Sequence, residues 1–218
     1  MVEVKICGLT RAEDAAVAGA LGAAFVGVVF AGGPRRLAPA AARLVLDGAR
    51  AAGAAAPRRV GVFGDQGAAE IADVAAVAGL DVLQLHGTSD AATVAALRRA
   101  FRGEIWRVVR LGPGAQPGVV RDAAAGVDAV LVDALVQGTL GGAGVTVDWT
   151  WLASTLNAAG RPARLVLAGG LRPENVHTAV GVVAPDAVDV SSGIESSVGI
   201  KDHAKMRAFV EAVARGGR

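Results

Sequence analysis

The chain carries a single cysteine, Cys7, at the end of a β-branched alternation, Val2-Glu3-Val4-Lys5-Ile6-Cys7. Successive side chains of a strand face opposite ways, so if Val2, Val4 and Ile6 meet an outer helix layer, Glu3, Lys5 and Cys7 point inward. A lone cysteine is commonly a small buried hydrophobe. Here Gly8-Leu9-Thr10-Arg11 follows at once, a strand-to-helix turn that leaves the thiol exposed at a rim, where it can act as a general base. Lys5 lies two residues earlier on the same face, roughly 6–7 Å away along a strand. At an effective dielectric of about 20 it is expected to lower the thiol pKa by up to about two units, with Asp189 able to pair with it and offset much of the effect.

Asp133 closes another apolar run, Val130-Leu131-Val132, in the position of a general acid at a strand end; a solvated or helix-capping aspartate is the plainer alternative. The Gly-rich stretch Gly138-Thr139-Leu140-Gly141-Gly142-Ala143-Gly144 follows and can fold over a ligand to exclude water. Two further strand ends run into small residues. Gly169 and Gly170 precede a helix start at Arg172-Pro173-Glu174-Asn175, and Ser192 and Gly193 follow Ser191. Glycine lets backbone N–H groups approach an anion and a helix N-terminus adds its dipole, so these are candidate phosphate-binding loops; tight turns with small residues are the alternative. Arg35, in Gly32-Gly33-Pro34-Arg35-Arg36, can clamp a carboxylate in a bidentate fork, with Arg36 as its rival. Gln84 and His86 share an inward face, and His86 and Asp189 join the candidate substrate-binding residues, a hydrogen-bonded structural role for the histidine being nearly as good a reading. Trp106, Trp149 and Trp151 read as packing residues.

These residues need a scaffold that brings strand ends together. Short β-branched runs alternate with Ala-rich segments of helical length, the pattern of repeated βα units. Eight strands are predicted at Val2–Cys7, Ala24–Phe30, Arg59–Phe63, Val82–Leu85, Ile105–Arg110, Ala129–Asp133, Leu165–Ala168 and Ala187–Val190. Helices are predicted at Arg11–Leu21, Ala38–Ala51, Ala68–Ala78, Ala92–Phe101, Val119–Ala124, Thr150–Asn157, Pro173–Val180 and His203–Ala214, with Pro173 in a first turn. The fifth sits in a short, Gly-punctuated segment, Gln116 to Gly126, that also suits a single turn or a loop. The fold class is α/β, and eight units in 218 residues favour a single (β/α)8 TIM barrel over residues 1–218; an open doubly wound sheet is the alternative that periodicity leaves standing. In a closed barrel strands six, seven, eight, one and two are neighbours, an arc reading acid, phosphate, phosphate, base, arginine.

Composition narrows the function classes. Twenty-two basic and 20 acidic residues give a formal charge of +2 with no basic run, which argues against nucleic acid as a partner. Apolar stretches are cut before the ~20 residues a membrane helix needs, and the N-terminus lacks a signal-peptide pattern, so a cytoplasmic location is expected. One cysteine excludes an intramolecular disulfide, and His86, His177 and His203 do not form a spaced metal-ligand set.

The motifs together resemble the phosphoribosylanthranilate isomerase family from end to end. The resemblance rests on Lys5-Ile-Cys-Gly-Leu-Thr10, Pro34-Arg35, Gln84-Leu-His-Gly87, Leu131-Val-Asp133, Gly141-Gly-Ala-Gly144 with Asp148-Trp149, Leu167-Ala-Gly-Gly-Leu171, Val188-Asp-Val-Ser-Ser-Gly-Ile-Glu195 and Gly199-Ile-Lys-Asp202. It implies an Amadori rearrangement of a phosphorylated sugar-anthranilate substrate in tryptophan biosynthesis, without metal or redox cofactor, by a monomer or homodimer. Asp133 then matches the acid that protonates the ring oxygen and Cys7 the base that removes the C2 proton. Arg35 matches the arginine facing the anthranilate carboxylate, and Gly169-Gly170 and Ser192-Gly193 match the phosphate loops. Three positions depart from the family pattern: Ala143 for a hydroxyl residue, Gly33 for a frequent Ser and Val147 for a frequent Phe. They bear on loop order and affinity more than on the reaction. A histidine-pathway phosphoribosyl isomerase is the nearest alternative, expected to use two aspartates where this chain has Cys7 and Asp133. A non-catalytic phosphate-metabolite-binding barrel is the other.

Overall fold

The structure, a computed structural model, describes residues 1–52, 56–87, 90–111, 118–134 and 148–216. Eight parallel strands pair in chain order and close: β1 (Glu3–Ile6), β2 (Phe25–Val29), β3 (Arg58–Phe63), β4 (Val82–Leu85), β5 (Glu104–Leu111), β6 (Ala129–Ala134), β7 (Leu165–Ala168) and β8 (Ala187–Val190). Lys5 of β1 pairs in register with Phe25 on one side and Asp189 on the other, so the sheet is a barrel and not an open layer. Helices α1 (Ala12–Ala20), α2 (Pro39–Gly48), α3 (Ala68–Ala78), α4 (Ala91–Ala100), α5 (Val119–Ala123), α6 (Trp149–Ala159), α7 (Val176–Val183) and α8 (His203–Gly216) follow the strands in turn. Among the described residues none is long and apolar enough to cross a membrane.

Two elements differ from the sequence reading. The segment predicted as a helix from Pro173 is a turn until Asn175, and α7 starts at Val176. The reason is local. Asn175 Oδ1 accepts from the Arg172 N–H (2.8 Å), its Nδ2 donates to the Gly170 carbonyl (3.0 Å), and the Arg172 carbonyl accepts from both the Asn175 and Val176 N–H groups (3.1 and 3.0 Å), which together hold residues 173–175 as a tight turn. After β8, a 3-10 turn over Ser192–Ile194 leads into a small antiparallel hairpin, β9 (Glu195–Ser197) and β10 (Ile200–Lys201), which no strand was predicted to occupy. Strands of three and two residues carry too little alternation to be legible. The Gly138–Gly144 loop and Val147 lie outside the described residues, as do Gln116 and Pro117 of the segment before α5.

Alternation builds two cores. Outward residues such as Ile6, Val28, Leu83, Leu85 and Val130 pack on the helices. Inward residues fill the barrel, with Phe25 and Trp106 edge to face at 4.8 Å near its floor. Trp106 is fully buried, Trp149 is buried and Trp151 packs against the outer core, so all three tryptophans are packing residues. Around the floor, Arg58 bridges to Glu104 (2.5 Å), Glu104 accepts from Trp106 Nε1 (2.7 Å), and Arg164 pairs with Glu3 while lying over both Phe25 (5.3 Å) and Trp106 (5.9 Å). Three aspartates just ahead of even-numbered strands each accept a backbone N–H of the preceding strand: Asp81 from Arg59 (2.8 Å), Asp128 from Ile105 (2.7 Å) and Asp186 from Leu165 (2.7 Å).

Candidate active site

The carboxyl ends of the strands surround one cavity of about 560 Å³, and Cys7, Arg35, His86, Asp133, Gly169, Gly170, Asp189, Ser192 and Gly193 all line it. Arg36 is exposed and absent from that lining. Ser192 and Gly193 on one loop line the same cavity as Gly169 and Gly170 on the other. Gly169 and Gly170 have φ of 95° and 60°, a conformation that residues with a Cβ rarely adopt. The arc expected from barrel order is present: β6, β7, β8, β1 and β2 are successive neighbours.

Cys7 sits one residue beyond β1, its N–H donating to the Val190 carbonyl (2.8 Å). The thiol was expected exposed at the rim; the residue is only 7% exposed. The thiol packs against Gly27, where an added Cβ would lie 3.0 Å from its Sγ, and Ser191 and Arg35 lie over the neighbouring Gly8. Burial therefore pushes the thiol pKa up and outweighs the opposing pull of Lys5, which reverses the net lowering expected from the sequence. Lys5 is wholly buried and salt-bridged to Asp189 at 2.9 Å, and the Asp189 charge raises the thiol further while Lys201 lowers it. Burial alone would lower the Lys5 pKa, but Asp189 and Cys7 prevail and hold the ammonium above its usual value. The cation beneath the thiol is thus permanent, and largely neutralised by its partner.

Asp133, paired in register with Arg110 on β5 and Ala168 on β7, has its carboxyl raised, first by burial and then by Asp189, against the lowering influence of Arg110 and, when it is protonated, of His86. A carboxyl that keeps its proton to higher pH is suited to donate it. His86 is lowered by burial and by Arg110, whose Nη2 lies 2.9 Å from His86 Nε2. A guanidinium only donates, so Nε2 accepts, and the imidazole is neutral with its proton on Nδ1. Deeper in the barrel, the buried Gln84 lines the cavity with an Oε1 that has no hydrogen-bond partner among the described residues.

The cavity thus gathers a buried thiol, a carboxyl of raised pKa, a guanidinium and two small-residue loops on one barrel mouth. The family model described as N-(5'phosphoribosyl)anthranilate (PRA) isomerase matches residues 4–212. The chain belongs to this isomerase family. It is 42% identical over 217 residues to the N-(5'-phosphoribosyl)anthranilate isomerase of Pseudomonas aeruginosa (strain UCBPP-PA14), covering 97% of this chain and 95% of that protein. The crystal structure of phosphoribosyl anthranilate isomerase from Thermotoga maritima superposes with a TM-score of 0.83 at 34% identity, over 98% of this chain and 99% of that one. A crystal structure of phosphoribosyl anthranilate isomerase in complex with reduced 1-(o-carboxyphenylamino)-1-deoxyribulose 5-phosphate matches with a TM-score of 0.80 at 32% identity, over 98% and 99% of the two chains.

Three site residues escaped the sequence reading of the isomerase. Arg110 was placed as the last residue of a strand and given no role, although the alternation Trp106, Val108, Arg110 puts it on the inward face. Glu195 and Lys201 were noted only as parts of family motifs. They form a buried salt bridge of 3.0 Å beside the cavity, and Glu195 grips Arg35. Their spacing in the sequence has a meaning only once the hairpin pairs Lys201 with Glu195.

Proposed function

We propose that the chain converts N-(5'-phosphoribosyl)anthranilate into 1-(2-carboxyphenylamino)-1-deoxyribulose 5-phosphate, with Asp133 as general acid and Cys7 as general base. The observation that carries the assignment is the shared cavity: a carboxyl whose pKa burial raises and a thiol near a buried lysine lie on β6 and just past β1, with two glycine loops on the strands between them. Asp133 gives its proton to the furanose ring oxygen as the C1–O bond breaks, leaving a protonated imine between C1 and the anthranilate nitrogen. The Cys7 thiolate then takes the C2 proton, the electron pair of that C–H bond forming the C1–C2 double bond and neutralising the nitrogen. The resulting enol relaxes to the ketone by proton transfer to C1.

The remaining residues orient this sequence. Backbone groups around Gly169, Gly170, Ser192 and Gly193 receive the phosphate, Arg35 faces the ring carboxylate, and His86 and Asp189 line the space where the sugar turns. Neutral His86 can exchange hydrogen bonds without competing for protons with Asp133. The reaction is assigned to one barrel of residues 1–218, a monomer or homodimer in the cytoplasm, acting on the small molecule without metal or redox cofactor. A steady-state assay with substrate generated in situ tests it. Turnover with EDTA present and no added cofactor is expected. Loss of activity on chelation, restored by a divalent ion, overturns the cofactor-free scheme, and turnover only of a histidine-pathway substrate overturns the substrate assignment.

A further inference from the structure

Arg35 does not enter the cavity as a free cation. Its Nε and Nη2 donate to the two carboxylate oxygens of Glu195, at 2.8 and 2.5 Å. Glu195 is 6% exposed in its side chain and contributes nothing to the cavity lining, so it stands behind the arginine. Its Oε1 also accepts from Nζ of Lys201 (3.0 Å), a wholly buried ammonium that donates as well to the Ser191 carbonyl (3.0 Å). The hairpin holding both residues is itself anchored. The Lys201 N–H donates to Asp14 Oδ2 (3.2 Å), and Asp14 is gripped by Arg11 (3.0 and 2.7 Å) and His203 (2.8 Å). At the stem, Arg35 passes over Gly8, whose φ is 70° and where an added Cβ would lie 2.8 Å from Arg35 Cδ.

A guanidinium has five N–H donors. Glu195 occupies the side-on edge formed by Nε and Nη2, which leaves the Nη1 end for a second planar partner. Arg35, Glu195 and Lys201 together are two cations and one anion, so the trio retains a single positive charge where an isolated Arg–Glu pair would be neutral and attract a carboxylate poorly.

We infer that Glu195 is a positioning residue for carboxylate recognition, holding one edge of Arg35 so that the other is presented to the anthranilate carboxylate, while Lys201 keeps the trio cationic. The inference rests on the reading of Arg35 as the carboxylate clamp. Fixing the guanidinium before the ligand arrives removes an ordering cost from binding. It also makes the ring carboxylate a specificity element, because a ligand lacking it leaves the aligned edge without a partner.

The test compares two reduced product analogues, one carrying the ring carboxylate and one with hydrogen in its place, by equilibrium binding. Binding is the chosen readout because Lys201 also acts on Cys7. The informative variant is Glu195→Gln/Lys201→Met, which breaks the charged fork, preserves the net charge of the trio and leaves no buried unpaired ammonium. Glu195→Gln alone and Arg35→Lys complete the set. The double variant is expected to lose about tenfold of the wild-type preference for the carboxylate analogue, and Arg35→Lys at least as much. Adding the double variant to Arg35→Lys is expected to cost little more, since lysine has no fork to hold. If Arg35→Lys leaves the preference intact, the clamp reading itself fails. If Arg35→Lys abolishes the preference but the folded double variant keeps it, the clamp stands and the positioning inference is overturned. Equal weakening of both analogues also overturns it, reducing Glu195 to a hairpin support. Glu195→Gln alone, should it fold, is expected to lose preference in the same direction.

Discussion

The two ends of the barrel are made from the same alternating strands and use charge in opposite ways. At the floor, Arg58, Glu104, Arg164 and Glu3 satisfy one another around Phe25 and Trp106, the arginines lying on aromatic faces. At the mouth, Cys7 is buried and Asp133 half-buried, neither makes a salt bridge among the described residues, and burial raises the pKa of both. Charges that close on themselves stabilise packing. Groups held away from full compensation keep protons they would otherwise lose, and so have something to exchange with a substrate.

The sharpest way to break this contrast is Asp133→Asn. Its kcat is expected to fall by ~10²–10⁴-fold with a much smaller change in KM, because a general acid acts in the transition state. The sign of the stability change is the opposite. A folded-state pKa raised by burial contributes stability that is complete below the unfolded value near 3.9 and is lost as pH rises through the folded value. At neutral pH the ionised Asp133 is a burden, so denaturant unfolding is expected to show Asp133→Asn at least as stable as wild type. A variant with near-wild-type kcat would remove Asp133 from the acid role.

Lys5→Met probes the base. Its loss removes the main influence lowering the Cys7 pKa and leaves Asp189 to raise it, so the pH profile of iodoacetamide reaction is expected to move further up. The thiol starts from a reference value roughly five units above that of the carboxyl, so between their two pKa values the productive thiolate–carboxylic acid form is a minor one. Its fraction falls about tenfold for each unit the thiol rises, lowering the kcat/KM plateau while the basic limb moves to higher pH. Coincident alkylation profiles in folded wild-type and Lys5→Met protein would confine Lys5 to packing.

The floor should behave differently. Glu104→Leu leaves the buried Trp106 Nε1 without its acceptor and is expected to cost ~1–3 kcal/mol of stability with kcat and KM within about twofold of wild type. A large fall in kcat would show that the two ends are not separable. The smallest effect is expected at Asp14, whose pKa is lowered despite burial by Arg11, His203 and the Lys201 N–H. Its contribution to stability is present above the unfolded value near 3.9 and lost as pH falls through the folded one. Asp14→Asn should therefore flatten the acid side of the stability curve; an unchanged slope would mean the carboxylate keeps its partners when unfolded.

Much of this was legible before the structure. Alternation alone placed Glu3, Lys5 and Cys7 inward, and regular βα spacing located the eight strands and helices, because both are periodic consequences of one chain direction and one core. Periodicity alone left closure open, since an open sheet has the same period; it was the count of eight units in 218 residues that favoured the barrel. The burial of Cys7 was missed for a related reason: Gly27, against which its sulfur packs, and Arg35 and Ser191, which lie over Gly8, are distant in sequence and near only once β1 has neighbours on both sides. Glu195 and Lys201 belong to the same class, their charges meaningful only through a hairpin too short to announce itself.

The three aspartates at the floor acquire another meaning when their strands are followed upward. Asp81, Asp128 and Asp186 each stand five residues before a mouth residue, His86, Asp133 and Ser191 respectively. At about 3.3 Å per residue every such strand is a strut of roughly 17 Å whose foot is bolted to its neighbour. Slippage by one residue would invert its inward and outward faces and carry the mouth residue out of the cavity. The height of the reacting groups above the barrel floor is therefore a dimension gauged from below, by carboxylates that never meet the substrate.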